Sequence, residues 1–282
     1  MSRLAAVAGV VVISFSAILV RLAGVSPDTS AFFRALYALP VLLLLWLTLG
    51  GRLRSRLALT ALASGIFLGL DLAVWHRAIY WIGAGLATVL GNTQVIFVGL
   101  AAWLLHGERP RRVAFFAVPV AFAGMAMVSG LGRADAYGEN PLLGTFFGLL
   151  TGITYASFLL IFRRATRDEP TPYGAFFLCT LGTVAATGAL GSATGGLELA
   201  WSWPAHGWLV ALALGSQVVG WLLIAYALPR LPAVETSILL LLQPMASVIW
   251  AYLLFAEALS WVQWAGVGLV LAGVGLAAVR RA

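Results

Sequence analysis

The sequence predicts an all-α polytopic membrane protein, with ten transmembrane helices arranged as two inverted five-helix repeats. Three observations predict it. Apolar residues make up 62% of the 282 and charged ones only 10%, too little polar surface to cover a water-soluble globule. All 17 basic residues are arginine, and 13 of them fall in alternate gaps between ten apolar runs. The chain also matches itself at an offset of 149 residues.

Apolar runs between Arg, Gly and Pro clusters give helices over 4–22, 30–49, 58–80, 84–105 and 111–130. The second five fall over 142–163, 172–192, 207–228, 233–254 and 261–280. Each approaches the roughly 20 apolar residues a spanning helix needs, and the runs are too long and evenly apolar for barrel strands. Arg3 precedes the first run, and Arg52, Arg54 and Arg56 follow the second. Arg109, Arg111 and Arg112 follow the fourth, Arg163, Arg164 and Arg167 the sixth, Arg230 the eighth, and Arg280 and Arg281 the tenth. The other gaps and spans hold only Arg21, Arg34, Arg77 and Arg133, a bias that puts both termini in the cytoplasm of a bacterial-type inner membrane. The first run has the basic start of a signal peptide, but no globular segment follows it, so an uncleaved first helix is expected.

The offset of 149 pairs Ala84 with Ala233, Gln94 with Gln243, Glu108 with Glu257, Ala123 with Ala272 and Gly124 with Gly273. An offset of 144 or 145 pairs Ser26-Pro27 and Ala31-Phe32-Phe33 with Thr171-Pro172 and Ala175-Phe176-Phe177. These matches divide the chain into repeats 1–138 and 139–282. Five helices is an odd number, so the second copy enters the bilayer upside down, the arrangement that lets secondary transporters open to alternate sides.

Several classes are disfavoured. The net charge of +7 is dispersed over short loops rather than gathered on one face, which argues against nucleic acid as a partner. No GxxxxGK[ST] is present, so nucleotide is not expected as a partner. Neither HExxH nor GxSxG occurs, the three histidines lie in separate helices, and Cys179 is a single cysteine. Neither a metal nor a cofactor is expected, and an intramembrane enzyme is a remote alternative. The expected partners are a small-molecule solute and the lipid bilayer.

The stretch from Gln94 to Arg109, with Gly107-Glu108-Arg109-Pro110, has its counterpart from Ala225 through Pro232-Ala233, Gln243-Pro244 and Glu257 to Gly273. Over the whole chain this pattern resembles the EamA-type branch of the drug/metabolite transporter superfamily. The resemblance implies ten helices, cytoplasmic termini, a five-plus-five inverted repeat and export of small metabolites, with an aromatic amino acid exporter of the YddG type as one candidate. The first repeat has Gln94-Val95 where the second has Gln243-Pro244, which implies asymmetric gates.

Ionisable residues inside a span need a partner, a watery cavity or a function. At about 100 degrees per residue, Leu68, Asp71, Leu72, Trp75, His76 and Ile79 share one face of the third helix, expected to look into a cavity. His76 and Asp71 are the candidate proton carriers. The same spacing also fits an ion pair from Asp71 to Arg34 or Arg21 and a hydrogen-bonded packing histidine, while Arg77 is expected to snorkel. Gln94, with Phe97 beyond it, and Gln243 suit either a zwitterion or backbone at a helix crossing, and Glu235 suits the positive start of the ninth helix. If the halves enclose a central pocket, as the resemblance implies, Ser14, Ser16, Tyr155, Phe158, Gln217, Trp221 and Trp250 add stacking surface and hydrogen bonds. Trp81, Trp201, Trp203, Trp208, Trp261 and Trp264 read as the interfacial belt. Gly65 with Gly69, and Gly144, Gly148 and Gly152, suit close helix packing, while Pro40, Pro119 and Pro244 favour kinks. The expected function is export of small organic solutes by alternating access, most of all aromatic or hydrophobic amino acids. The alternative is proton-coupled efflux of flat amphipathic drugs or cations.

Overall fold

A backbone in lipid has only internal hydrogen-bond partners, and in the computed structural model every regular element among the described residues is helical. The structure describes residues 1–49, 55–107, 112–128, 140–167, 169, 171–255 and 260–278. Six described stretches are long and apolar enough to cross a bilayer: Ser2–Ala23, Pro27–Leu49, Leu57–Trp81, Leu142–Thr166, Tyr173–Thr194 and Ala205–Arg230. Ala114–Gly124 and Trp261–Gly273 are shorter apolar helices. Glu108, Arg109, Pro110 and Glu257 lie outside the described residues, as do Arg52, Arg54, Arg111, Arg133, Arg280 and Arg281.

Several expected helices are interrupted, each for a local reason. The first divides at Phe15 into α1 (Ser2–Ser14) and α2 (Ser16–Ala23). There Ser247 Oγ donates to the Ser14 carbonyl at 2.8 Å and Trp250 Nε1 to Ser14 Oγ at 2.7 Å, so side chains from a distant helix occupy the opened ladder. The second divides at Tyr37–Ala38 into α3 (Pro27–Leu36) and α4 (Leu39–Leu49), just before Pro40, which has no N–H to give. α3 starts sharply because Ser26 Oγ accepts from the Thr29 N–H at 3.1 Å and Pro27 supplies a preset φ.

Helical geometry runs unbroken through α5 (Ser55–Gly91), across the expected turn at 81–83. The chain nevertheless reverses within it. A straight helix would separate Trp75 from Gly91 by about 24 Å, yet a Cβ on Gly91 would stand 3.8 Å from Trp75 Cδ1, and Trp75, Ala78 and Ala87 share one cluster. The real break comes at Asn92–Thr93, before α6 (Gln94–His106). Its counterpart at the 149 offset is Leu241, between α12 (Ala233–Leu240) and α13 (Leu242–Phe255). Both breaks put a glutamine, Gln94 or Gln243, within the first two residues of the following helix.

Glycines set the closest crossings. α5 meets α9 (Tyr173–Thr194) backbone to backbone: a Cβ on Gly65 would collide with the Cys179 carbonyl, and one on Gly182 with the Leu62 carbonyl. Cys179 is therefore a packing residue, fully buried. On α8 (Pro141–Thr166), Gly148 admits Leu90, and Gly152 admits Thr93 and the Gln94 amide. α7 (Ala114–Val128) and α14 (Trp261–Ala278) pair through Gly124 and Gly273, themselves counterparts at the 149 offset. A Cβ on Gly124 would lie 2.7 Å from the Gly266 carbonyl, and one on Gly273 2.9 Å from the Ala117 carbonyl. As numbering rises from 117 to 124 on one helix it falls from 273 to 266 on the other, so the two run antiparallel.

The eighth expected helix contains a feature that periodicity did not reveal. Between α10 (Ala205–Leu212) and α11 (Trp221–Ala227) the chain takes a π-helical course over Ala213–Gly220. At its end Gly220 packs against α1, where a Cβ on Gly9 would lie 2.8 Å from the Gly220 carbonyl. Such wide turns recur at functional sites, and this one carries Gln217.

Candidate functional site

The cavity in the middle of this bundle has walls from both halves of the chain. Ile13, Ser16 and Arg34 line it from α1, α2 and α3, with Leu68, Asp71, Leu72, Trp75 and Gly91 from α5 and Asn92 from the break that follows. Thr151 and Tyr155 of α8, Trp221 of α11 and Gln243 of α13 close the other side. Its volume is about 50 Å³; at roughly 10–15 Å³ per water that is room for a few waters, so a larger solute requires the walls to move.

Leu68, Asp71, Leu72 and Trp75 reach this space together because spacings of three and four keep them on one side of α5. Asp71 and Arg34 are 7% and 3% exposed, two opposite charges deep in the span. They do not form the ion pair that the sequence left open. Arg34 Nε donates to Gln217 Oε1 at 2.9 Å and Nη1 to Ser16 Oγ at 3.0 Å, while Asp71 Oδ1 has no hydrogen-bond partner. Trp221 Nε1 and Gln217 Nε2 are likewise buried without acceptors. A buried acceptor left without a hydrogen bond costs on the order of 1–3 kcal/mol. Behind Trp221 stands an aromatic wall, with Phe158 edge-on at 5.0 Å, Tyr155 at 6.1 Å, and Phe162 stacked on Phe158 at 5.6 Å.

Of the candidates read from the sequence, Ser16, Leu68, Asp71, Leu72, Trp75, Tyr155, Trp221 and Gln243 line the cavity. Gln217 stands behind Arg34 and fixes it. His76 turns away from the cavity: its Nδ1 donates to the Pro27 carbonyl at 2.9 Å, which leaves Nε2 buried without a partner. The one-face reading failed here because 76 follows 75 by 100 degrees, far enough for the start of α3 to capture the ring. Ile79 packs with Trp75, Ala78 and Ala87. Gln94 is fully buried at the start of α6 and Phe97 packs against the core, neither on the cavity wall. Phe158 is core. Ser14 and Trp250 bond to each other, and Trp250 stacks on Phe15 at 4.4 Å, so both serve the α1 kink.

Of two further charges, Glu235 sits where expected with an added partner, and Arg77 has one that the sequence did not show. Arg77 is paired: its Nη2 meets Asp28 Oδ2 at 2.9 Å, where Thr194 Oγ1 also donates at 2.8 Å, tying α3, α5 and α9 at one end of the bundle. Glu235 lies in the first turn of α12 and is also paired, through Oε1 to Arg3 Nε at 2.5 Å. Arg34 is the site residue that sequence reasoning underrated. Its signal was an arginine within an apolar run, one of four, with Arg21, Arg77 and Arg133, that stand outside the alternate gaps.

Comparison with known proteins agrees with this architecture. A sequence model of the EamA-like transporter family matches residues 2–130 and again residues 142–279. An Archaeoglobus fulgidus protein named "Uncharacterized transporter" is 25% identical over 226 residues, which cover 77% of this chain and 76% of that one. A solved crystal structure superposes with a TM-score of 0.81 over 98% of this chain and 96% of its own, at 18% identity, a likeness of fold.

Proposed function

The chain belongs to the EamA-like transporter family, and from that premise we propose that it exports small organic solutes by alternating access through the central cavity. Amino acids with aromatic or hydrophobic side chains are the foremost solutes. The observation that carries this reading is the cavity itself, mostly apolar, walled from both halves and lined by Asp71 and Arg34 beside an aromatic face. Deep polar sites at a repeat interface are where secondary transporters hold their cargo.

We further propose that the two five-helix halves are inverted copies in a ten-helix unit. Support comes from the antiparallel pairing of α7 with α14 through matched glycines and from the matched breaks at Asn92–Thr93 and Leu241. The arginine alternation supports cytoplasmic termini in an inner membrane. In this reading Asp71, Trp75, Tyr155, Trp221 and Gln243 contact the solute, and Gln217 acts through Arg34. Proton coupling runs through Asp71, which faces the cavity, rather than His76, which faces Pro27.

The test is counterflow in proteoliposomes. Labelled phenylalanine or leucine should enter faster when unlabelled solute is inside, saturably, and Trp221→Ala should weaken half-saturation by roughly tenfold or more, the loss of one stacking surface. Linear, unsaturable flux unaffected by Trp221→Ala rejects the proposal.

A further inference from the structure

A solute in the central cavity meets charges of both signs, and from this we infer that Arg34 is a specificity-determining residue. With Asp71 it admits net-neutral zwitterions and excludes solutes that carry only one of the two charges. This inference rests on reading the cavity as the transport site.

The argument is one of complementarity. Arg34 is held by Gln217 Oε1 and Ser16 Oγ, both neutral, so no anion balances its charge at hydrogen-bond distance, and the rest of its donors are uncommitted among the described residues. Asp71 Oδ1 is an acceptor without a donor, and Trp221 Nε1 and Gln217 Nε2 are donors without acceptors. All four side chains are more than nine-tenths buried. A bound molecule with an ammonium toward Asp71 and a carboxylate toward Arg34 meets both charged side chains of the cavity wall at once. A flat organic cation satisfies Asp71 alone and adds a second positive charge beside Arg34. An anion leaves Asp71 unpaired in a medium where that is most costly. Gln217 belongs to the π-helical segment and Ser16 to the helix after the α1 kink, so Arg34 is fixed by irregular backbone from both halves of the chain.

The experiment is ligand-induced thermal stabilisation of the purified full-length protein. The probes are the neutral standard amino acids, and for the strongest binder its amide, a cation, and its N-acetyl derivative, an anion. We expect the free amino acid to bind the wild type at least about tenfold more tightly than either derivative, since each forfeits one charge-assisted contact. Arg34→Gln should abolish the discrimination against the amide, and Asp71→Asn that against the N-acetyl form. Equal binding of amide and free amino acid to the wild type, or stabilisation by none of the neutral amino acids, overturns the inference. The wild-type comparison needs no variant, so it decides the matter even if Arg34→Gln does not fold. In that case Arg34→Lys, which keeps the charge, should retain the preference. Saturable counterflow of an organic cation separates the two proposals, because it sinks the charge rule while leaving the cavity a transport site.

Discussion

Replacing Gly65 with alanine adds one methyl group where α5 and α9 touch backbone to backbone. The new Cβ would overlap the Cys179 carbonyl oxygen and stand 2.7 Å from the carbonyl carbon and 3.0 Å from Cα. These are backbone atoms of a helix and cannot rotate aside, so the helices must part. Overpacking of this kind costs about 1–3 kcal/mol, the upper end applying where no side chain can yield. Separation also strains the bond from Thr183 Oγ1 to the Gly65 carbonyl, 3.1 Å in the native crossing. The gain in helix propensity from glycine to alanine offsets at most about 1 kcal/mol, which leaves a net loss near 2 kcal/mol. At roughly 2–4 °C per kcal/mol for a chain of this order of size, the melting temperature in detergent should fall by about 4–8 °C. Gly268 is the control, because nothing lies within 4 Å of its added Cβ; Gly268→Ala should be neutral or stabilising by up to about 1 kcal/mol. If both variants melt together at the wild-type temperature, the close crossing of α5 and α9 is wrong.

Four other outcomes follow from the same geometry. Asp71→Asn should abolish stimulation of flux by a pH gradient in proteoliposomes, whereas His76→Gln, whose amide can still donate to Pro27, should keep it; the reverse pattern refutes the assignment. A double-mutant cycle on Ser14→Ala and Trp250→Phe should give a coupling of about 0.5–1.5 kcal/mol by thermal melting, the range of hydrogen bonds between membrane helices. Asp28→Ala should destabilise by roughly 1–3 kcal/mol, since it deprives Arg77 and Thr194 of their shared acceptor, and a change below about 0.3 kcal/mol would mean that the cluster is solvated. Cys179 should resist maleimide in the native protein and react only after unfolding.

The sequence was most legible where lipid constrains it most. Long apolar runs have to be helices, so the runs over 142–163, 172–192 and 207–228 reappear within a few residues as Pro141–Thr166, Tyr173–Thr194 and Ala205–Arg230. Less legible were departures from regular helix. The Phe15 kink depends on Ser247 and Trp250, more than 230 positions away, and no local pattern reports it. The π-helical turn at Ala213–Gly220 has ordinary composition. At the site, spacing on α5 brought Leu68, Asp71, Leu72 and Trp75 to one wall, because helix phase alone decides that. It could not say that the start of α3 would claim His76, or that Arg34 would choose Gln217 and Ser16 over Asp71. Those outcomes depend on which helices meet, and the sequence offers Arg34 both as an exception to the topological rule and as an ion-pair partner for Asp71, without placing it on the cavity wall.

The claim on which the account turns is that solute occupies the cavity between the two halves. Thr151 lines it and is 3% exposed, and the native cysteine is buried elsewhere, so Thr151→Cys offers a single reporter of occupancy. Its rate of modification by a small methanethiosulfonate reagent should fall as transported solute is added, with the half-effect at the concentration that half-saturates counterflow. A modification rate indifferent to saturating solute contradicts the account.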